Sequence, residues 1–175
     1  INPFDSFSFH NLSAFRRQWI DSHLSILNPV YKKTLSQFNA ALRFRNSLLK
    51  KKPSQYKAQI IANDPQLSRY SYELIQMKKE FLLEMKEYCS LTFKIIFEES
   101  HVLDIELESK FQSYSEQDIL SYYTESLEKD CIIGHTRSGV HRDDYIFNFN
   151  GFNSYEYCSL GLSLIHISEP TRLGM

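Results

Sequence analysis

Along the first hundred positions apolar residues recur at intervals of three, four and seven, and after Ser100 the interval drops to two. Between Asn28 and Lys52, Leu35, Leu42 and Leu49 stand seven apart, with Tyr31 and Phe38 between them. Beyond Asp64, Leu67, Tyr70, Leu74, Met77 and Phe81 keep a three-four spacing. Glu84 then falls on the seam, and Met85, Tyr88, Thr92 and Ile95 resume it after a shift. This spacing predicts two amphipathic helices folded as a hairpin. They pair either as a short coiled-coil-like seam with a stutter or as members of an ordinary bundle.

Helix punctuation places the boundaries. Ser13 is the expected cap of a helix to about Leu27. Asn28 with Pro29 opens a second, to about Lys52 before Pro53. Asp64-Pro65 repeats the signal and predicts a third helix to about Ser100, roughly 50 Å long at about 1.5 Å per residue. No glycine precedes Gly134, as suits long helices without tight turns. Leu103, Ile105 and Leu107 alternate with acids as a half-buried strand does. Ser115 and Asp118 resemble a capping box opening a helix to about Lys129. Tyr145–Asn150 predicts a strand, Asn150-Gly151 a tight hairpin turn, and Phe152–Tyr157 the returning strand. The predicted class is α+β, mainly α: a long helical hairpin followed by a β-hairpin.

Composition excludes more than it selects. The 175 residues are 42% hydrophobic, enough to bury a core, and the net charge is −1. Three cysteines without C-x-x-C spacing indicate neither a disulfide framework nor a zinc site, and fit a reducing cytosol. No stretch has the apolar length of a membrane span. Charge is nonetheless segregated. Ser22–Asn63 holds eight lysines or arginines and no acid; Glu98–Asp130 holds ten acids against Lys110 and Lys129. A basic arm of this kind suits DNA phosphates, and equally an internal attraction between the two segments.

The run Thr136-Arg137-Ser138-Gly139-Val140-His141-Arg142-Asp143-Asp144 is followed by the Asn150-Gly151 turn and then Tyr157-Cys158-Ser159-Leu160-Gly161. It resembles the Gly-Pro-His-Arg-Asp-Asp run, hairpin and Ser-x-Gly signature of the RecF family of DNA replication and repair proteins, with Val140 in place of the proline. Ser13-Ala14-Phe15-Arg16-Arg17-Gln18-Trp19-Ile20-Asp21 is similar to the family's Pro-Ser-x-Arg-Arg-x-Phe-Leu-Asp run. Tyr31 to Lys50, containing Ala41-Leu42-Arg43-Phe44-Arg45-Asn46, resembles its Arg-Ala-Leu-x-Gln-Arg-Asn segment. The resemblance implies the end of a first ATPase lobe over residues 1–12 and a helical lever over 13–130. It places the start of the C-terminal lobe of an ABC-type ATPase at 131–161.

It further implies a cytoplasmic ATP- and DNA-binding protein of replication, recombinational repair and the SOS response. Such a protein promotes recombinase loading at gapped DNA. Its implied cofactors are ATP and magnesium; its partners are double-stranded and gapped DNA, recombination-mediator proteins and a second copy in an ATP-dependent homodimer. Ser159 and Gly161 would be the remnant of the signature that faces nucleotide phosphate. Candidate DNA contacts are Arg16, Arg17, Lys32, Lys33, Arg43, Arg45, Lys50, Lys51 and Lys52. Gly139, His141, Arg142, Asp143 and Asp144 form the lobe motif. There the expected role is structural, Arg142 pairing with Asp143 at the strand entrance, and the alternative puts Arg142 on phosphate.

The chain has no G-x-x-x-x-G-K-[ST] loop, so it lacks the backbone nest and lysine that such chemistry needs, and hydrolysis by this stretch alone is not expected. Leu162–Arg172 reads as one translated frame of a transposase sequencing adapter, which marks it as foreign and the chain as truncated. The competing function class is a structural helical-hairpin interaction protein without nucleotide chemistry.

Overall fold

The computed structural model describes residues 12–97 and 102–153. Five main elements carry the fold: α1 (Ser13–Leu27), α2 (Pro29–Lys51), α3 (Tyr56–Phe97), β1 (Leu103–Glu108) and α4 (Glu116–Ile133). A single 3-10 turn, Val140–Arg142, leads into β2 (Asp144–Phe149) and β3 (Phe152–Asn153). The three strands lie in the order β1-β2-β3, with β2 and β3 antiparallel. The described residues divide into two compact units, one built from residues 12–81 and 107–144, the other from residues 82–97, 102–106 and 145–153.

Local chemistry accounts for most boundaries. The Asn28 side chain accepts from the N–H groups of Val30 and Tyr31, with Pro29 at the first helical position, as the sequence predicts. α2 ends where Lys52 turns left-handed (φ 47°), and Gln55 is also left-handed (φ 59°). The Ser115–Asp118 capping box is complete in both directions, and α4 runs on to Ile133 before Gly134 closes it at φ 85°. Asn150 (φ 50°) and Gly151 (φ 81°) make the tight turn. The returning strand is described only at Phe152–Asn153; the remainder expected to Tyr157 lies outside the described residues.

Two expected helix starts are corrected. Leu12, not Ser13, occupies the cap of α1, and no side chain caps it. Asp64-Pro65 opens nothing: α3 begins at Tyr56 and carries Pro65 inside its 42 residues, about 63 Å at about 1.5 Å per residue. The proline forfeits one ladder hydrogen bond. Flanking burial of Ile60, Leu67 and Leu74 outweighs that loss, and the Asp64 side chain is committed to the core instead of a cap.

The hairpin seam holds only over part of its expected length. Tyr31, Phe38, Leu42 and Leu49 of α2 are buried, as are Leu67 and Leu74 of α3. Asn28, at the start of α2, reaches Met77 Sδ at 4.0 Å. The 23 residues of α2 are therefore used up at Met77. Beyond it, Tyr88 and Ile95, expected to resume the seam, are 71% and 80% exposed.

Candidate functional site

The loop from Gly134 to Asp144 is pinned at both ends by buried charge. At its start, the Thr136 hydroxyl accepts from Arg45 Nη1 at 2.7 Å, and Thr136 N–H and hydroxyl both donate to Asn46 Oδ1 at 2.8 Å. Arg45 is the hub of this cluster. Its Nε donates to Asp64 at 2.9 Å, its Nη1 to Asp130 at 2.8 Å, and its guanidinium lies 5.3 Å from the Tyr123 ring centre. Burial opposes the guanidinium charge, but Asp64 and Asp130 outweigh it and hold the pKa above its ordinary value. Burial also raises Asp64, against the pull of Arg45. Burial thus disfavours the charge on both members of the pair; the guanidinium does not shed its proton, so Asp64 is the less firmly held charge of the two.

At the other end, the Asp143 carboxylate lies 3.4 Å from Lys78 Nζ, deep in the core. Lys78 is also 3.9 Å from Asp21, whose carboxylate accepts from the Tyr31 hydroxyl at 2.5 Å. The Asp143 carbonyl accepts from Arg17 Nη1 at 2.8 Å, and Asp144 takes both arms of Arg16 at 2.8 and 2.7 Å. Arg137 reaches Asp130 at 3.4 Å, and Ser138 accepts from the Tyr122 hydroxyl at 3.0 Å. Gly139, at φ 147°, passes so close to Tyr123 that a Cβ there would stand 2.9 Å from its hydroxyl oxygen.

His141 sits between these anchors. Its Nε2 lies 3.2 Å from the Thr136 carbonyl, which can only accept, so Nε2 carries the hydrogen and Nδ1 keeps its lone pair. That buried Nδ1 has no hydrogen-bond partner among the described residues. Burial, reinforced by Arg142 and Arg17, pulls the ring down to about 4 and keeps it neutral. The ring also lines a cavity of about 460 Å³ with Arg17, Ser22 and Ser25 of α1 and Phe38 and Asn39 of α2.

The expected pairing of Arg142 with Asp143 is not what the structure shows. Lys78 takes Asp143, because a buried carboxylate binds the cation that reaches it inside the core, and Arg142 is left exposed. Three candidate DNA contacts are likewise engaged within the fold. Arg45 is fully buried, so it has no access to phosphate; Arg16 is committed to Asp144, and Arg17 to the Asp143 carbonyl. Lys32, Lys33, Arg43, Lys50, Lys51 and Lys52 are exposed. At about 100° per residue, Lys32, Arg43 and Lys50 fall within roughly 20° of one line along α2, and Lys33 and Lys51 share a second. α2 contains no acid, and this face is opposite the one that buries Tyr31, Phe38, Ala41 and Leu48. Ser159 and Gly161 lie outside the described residues. Among the described residues no cluster of His, Cys, Asp or Glu is arranged to hold a metal ion.

No protein-family model matches the chain. Individual proteins do. The chain is 30% identical over 152 residues to the DNA replication and repair protein RecF of Streptococcus suis (strain 05ZYH33), covering 85% of this chain and 42% of that protein. RecF of Ligilactobacillus salivarius is 30% identical over 158 residues with the same coverage. A solved structure of the recombination mediator protein RecF with ATP, of the RecFOR pathway, superposes with a TM-score of 0.78 at 24% identity over 92% of this chain and 45% of its own. A second RecF structure, with ATPrS, gives 0.77 at 26% identity over 94% of this chain. Over that stretch the chain belongs to the RecF family.

It spans about 42% of the length of the curated RecF relatives it matches. The architecture expected from the RecF resemblance, mainly helical with a small sheet, is the one observed. No helix among the described residues is long and apolar enough to cross a membrane. The residues that sequence reasoning missed are Asp21, Asp64, Lys78, Asp130 and Thr136, the partners that anchor the loop. One signal was available. Arg45 and Lys78 stand where the apolar spacing of their helices continues, and a charge at a core register requires a buried counter-charge.

Proposed function

We propose that the chain is the helical lever of a RecF-like DNA repair and recombination protein, and that it lays the outward face of α2 along DNA phosphates. One observation carries the reading: an acid-free helix of 23 residues with its exposed cations in line. Lys32 to Lys50 spans roughly 27 Å at about 1.5 Å per residue, comparable to the path of several successive phosphates. The names of the relatives, DNA replication and repair proteins, support the same reading. In the whole protein, working in the cytoplasm, this arm would act with ATP and magnesium. It would engage gapped or double-stranded DNA and serve recombination mediators that load a recombinase, as one half of an ATP-dependent dimer.

The loop Thr136–Asp144 is the joint of this lever, since it ties α1, α2, α3 and α4 to the first residue of β2. The chain by itself is expected to release phosphate from ATP only at background; a measured rate above that would overturn this part. The DNA reading is tested by titrating gapped duplex across a range of salt, with the chain and with its Lys50→Gln/Lys51→Gln/Lys52→Gln variant. Each lost phosphate contact should flatten the log–log salt slope by about 0.9. Binding that is absent, or indifferent to both salt and the triple substitution, sinks it.

A further inference from the structure

Four of the five residues Ile26–Val30, at the corner where α1 meets α2, are apolar and exposed. Ile26 is 79% exposed, Leu27 69% and Val30 65%, with Pro29 among them. The fifth, Asn28, fixes the corner. Its side-chain oxygen accepts from the Val30 and Tyr31 N–H groups, and its Nδ2 reaches Met77 Sδ of α3 at 4.0 Å. Pro29 sets the next backbone angle. Capping explains Asn28 and Pro29, but not three large apolar side chains held out to water together. Lys32 and Lys33 follow within one turn and are exposed, and no acid occurs from Ser22 to Asn63. The acid just before that stretch, Asp21, is held by the Tyr31 hydroxyl and Lys78.

We propose that this corner docks an acidic, amphipathic segment of another protein, with its apolar side chains on Ile26, Leu27 and Val30 and its carboxylates on Lys32 and Lys33. Charge decides among the occupants. A DNA duplex satisfies the lysines, yet its charged, hydrated backbone offers nothing to the apolar side chains. A second copy would set Lys32 and Lys33 against their own equivalents in a two-fold contact. One corner of four side chains also falls short of the roughly 800 Å² per partner of a stable interface. A segment bearing both acids and apolar groups answers both features, and the fixed corner loses little freedom on binding it. The site stands apart from the DNA reading of α2, although Lys32 and Lys33 are common to both.

The test is fluorescence anisotropy of labelled peptides with the purified chain. The probe alternates pairs of Glu and Leu; one control replaces each Leu with Ser, and a second replaces each Glu with Lys. The probe should bind and both controls should not. Leu27→Ser/Val30→Ser should weaken the probe at least tenfold, since one buried aliphatic side chain alone is worth about that much. Lys32→Gln/Lys33→Gln should weaken it about threefold in dilute buffer and leave it unchanged in about 1 M salt. Neither variant should move the melting temperature, because all four side chains are exposed. Lys50→Gln/Lys51→Gln/Lys52→Gln should bind the probe as the parent does, whatever becomes of its DNA affinity; an equal loss there would place the peptide on α2 and overturn the corner. Absence of probe binding at about 1 mM peptide overturns it too, as does an affinity that Leu27→Ser/Val30→Ser leaves unchanged. A dimer of the chain, or binding to phosphatidylglycerol vesicles, that this double variant abolishes while the probe is ignored would assign the corner to a second copy or to lipid instead.

Discussion

Arg16 and Asp144 meet fork to fork, Nε donating to Oδ1 at 2.8 Å and Nη2 to Oδ2 at 2.7 Å, across 128 residues of sequence. The pair joins α1 to the first residue of β2 and is only partly exposed. Arg16→Lys keeps the charge and loses the bidentate geometry, so unfolding in urea should show a loss of about 1–2 kcal/mol. A double-mutant cycle with Asp144→Asn should return a coupling of about 1 kcal/mol. Coupling near zero would mean the fork contributes nothing measurable.

Removing Arg45 should cost far more. Truncation to Ala leaves Asp64 and Asp130 buried without their cation, a situation worth about 3–5 kcal/mol. Chemical denaturation of Arg45→Ala against Arg43→Ala makes the contrast, since Arg43 is exposed and should change stability by less than about 0.5 kcal/mol. Equal losses would place Arg45 outside the core.

His141 makes stability depend on pH in a defined direction. Its pKa in the fold, about 4, lies below the ordinary value of 6.5, so the unfolded chain binds more protons between those limits. The stabilisation is present above about pH 6.5 and is lost as pH falls toward 4. At about 1.4 kcal/mol per unit, the gap corresponds to at most about 3–4 kcal/mol. Asp64 and Asp143, raised by burial, act oppositely: the fold gains as they protonate on approach to the usual carboxylate range. The useful readout is therefore the difference between the chain and His141→Gln, which should shrink from pH 7 to 4. Parallel curves would refute it.

Gly139 is set by contact as well as by backbone angle. At φ 147°, an added methyl would stand 2.9 Å from the buried Tyr123 hydroxyl and 3.1 Å from His141 Nδ1. Gly139→Ala should destabilise by about 2–4 kcal/mol from backbone strain and overpacking together. Tyr123→Phe in the same chain removes the nearer atom and should recover part of the loss. No recovery would assign the whole effect to the backbone.

Much of this could be read along the chain because it depends on neighbours in sequence. Asn28 with Pro29, Ser115 with Asp118, and Asn150 with Gly151 act over one to three residues, and each forms the cap or turn that its chemistry dictates. Asp64-Pro65 has the same local signature and does something else, because Arg45, 19 residues away, draws Asp64 inward. The seam at Tyr88 and Ile95 fails for a related reason: spacing specifies a face, while the length of the opposing helix decides how far that face is covered.

The sequence by itself determined α2, α4, the hairpin turn and the absence of acids from α2, since periodicity, capping and charge counts need no knowledge of distant contacts, and its motifs carried the resemblance to the family. Only the tertiary structure decided which cations are free. Arg16, Arg17 and Arg45 carry the same charge as Arg43 and Arg142, yet the first three are engaged by groups that lie far away in sequence. A guanidinium's availability depends on what folding brings within about 3 Å of it, and that distance is set by the whole chain.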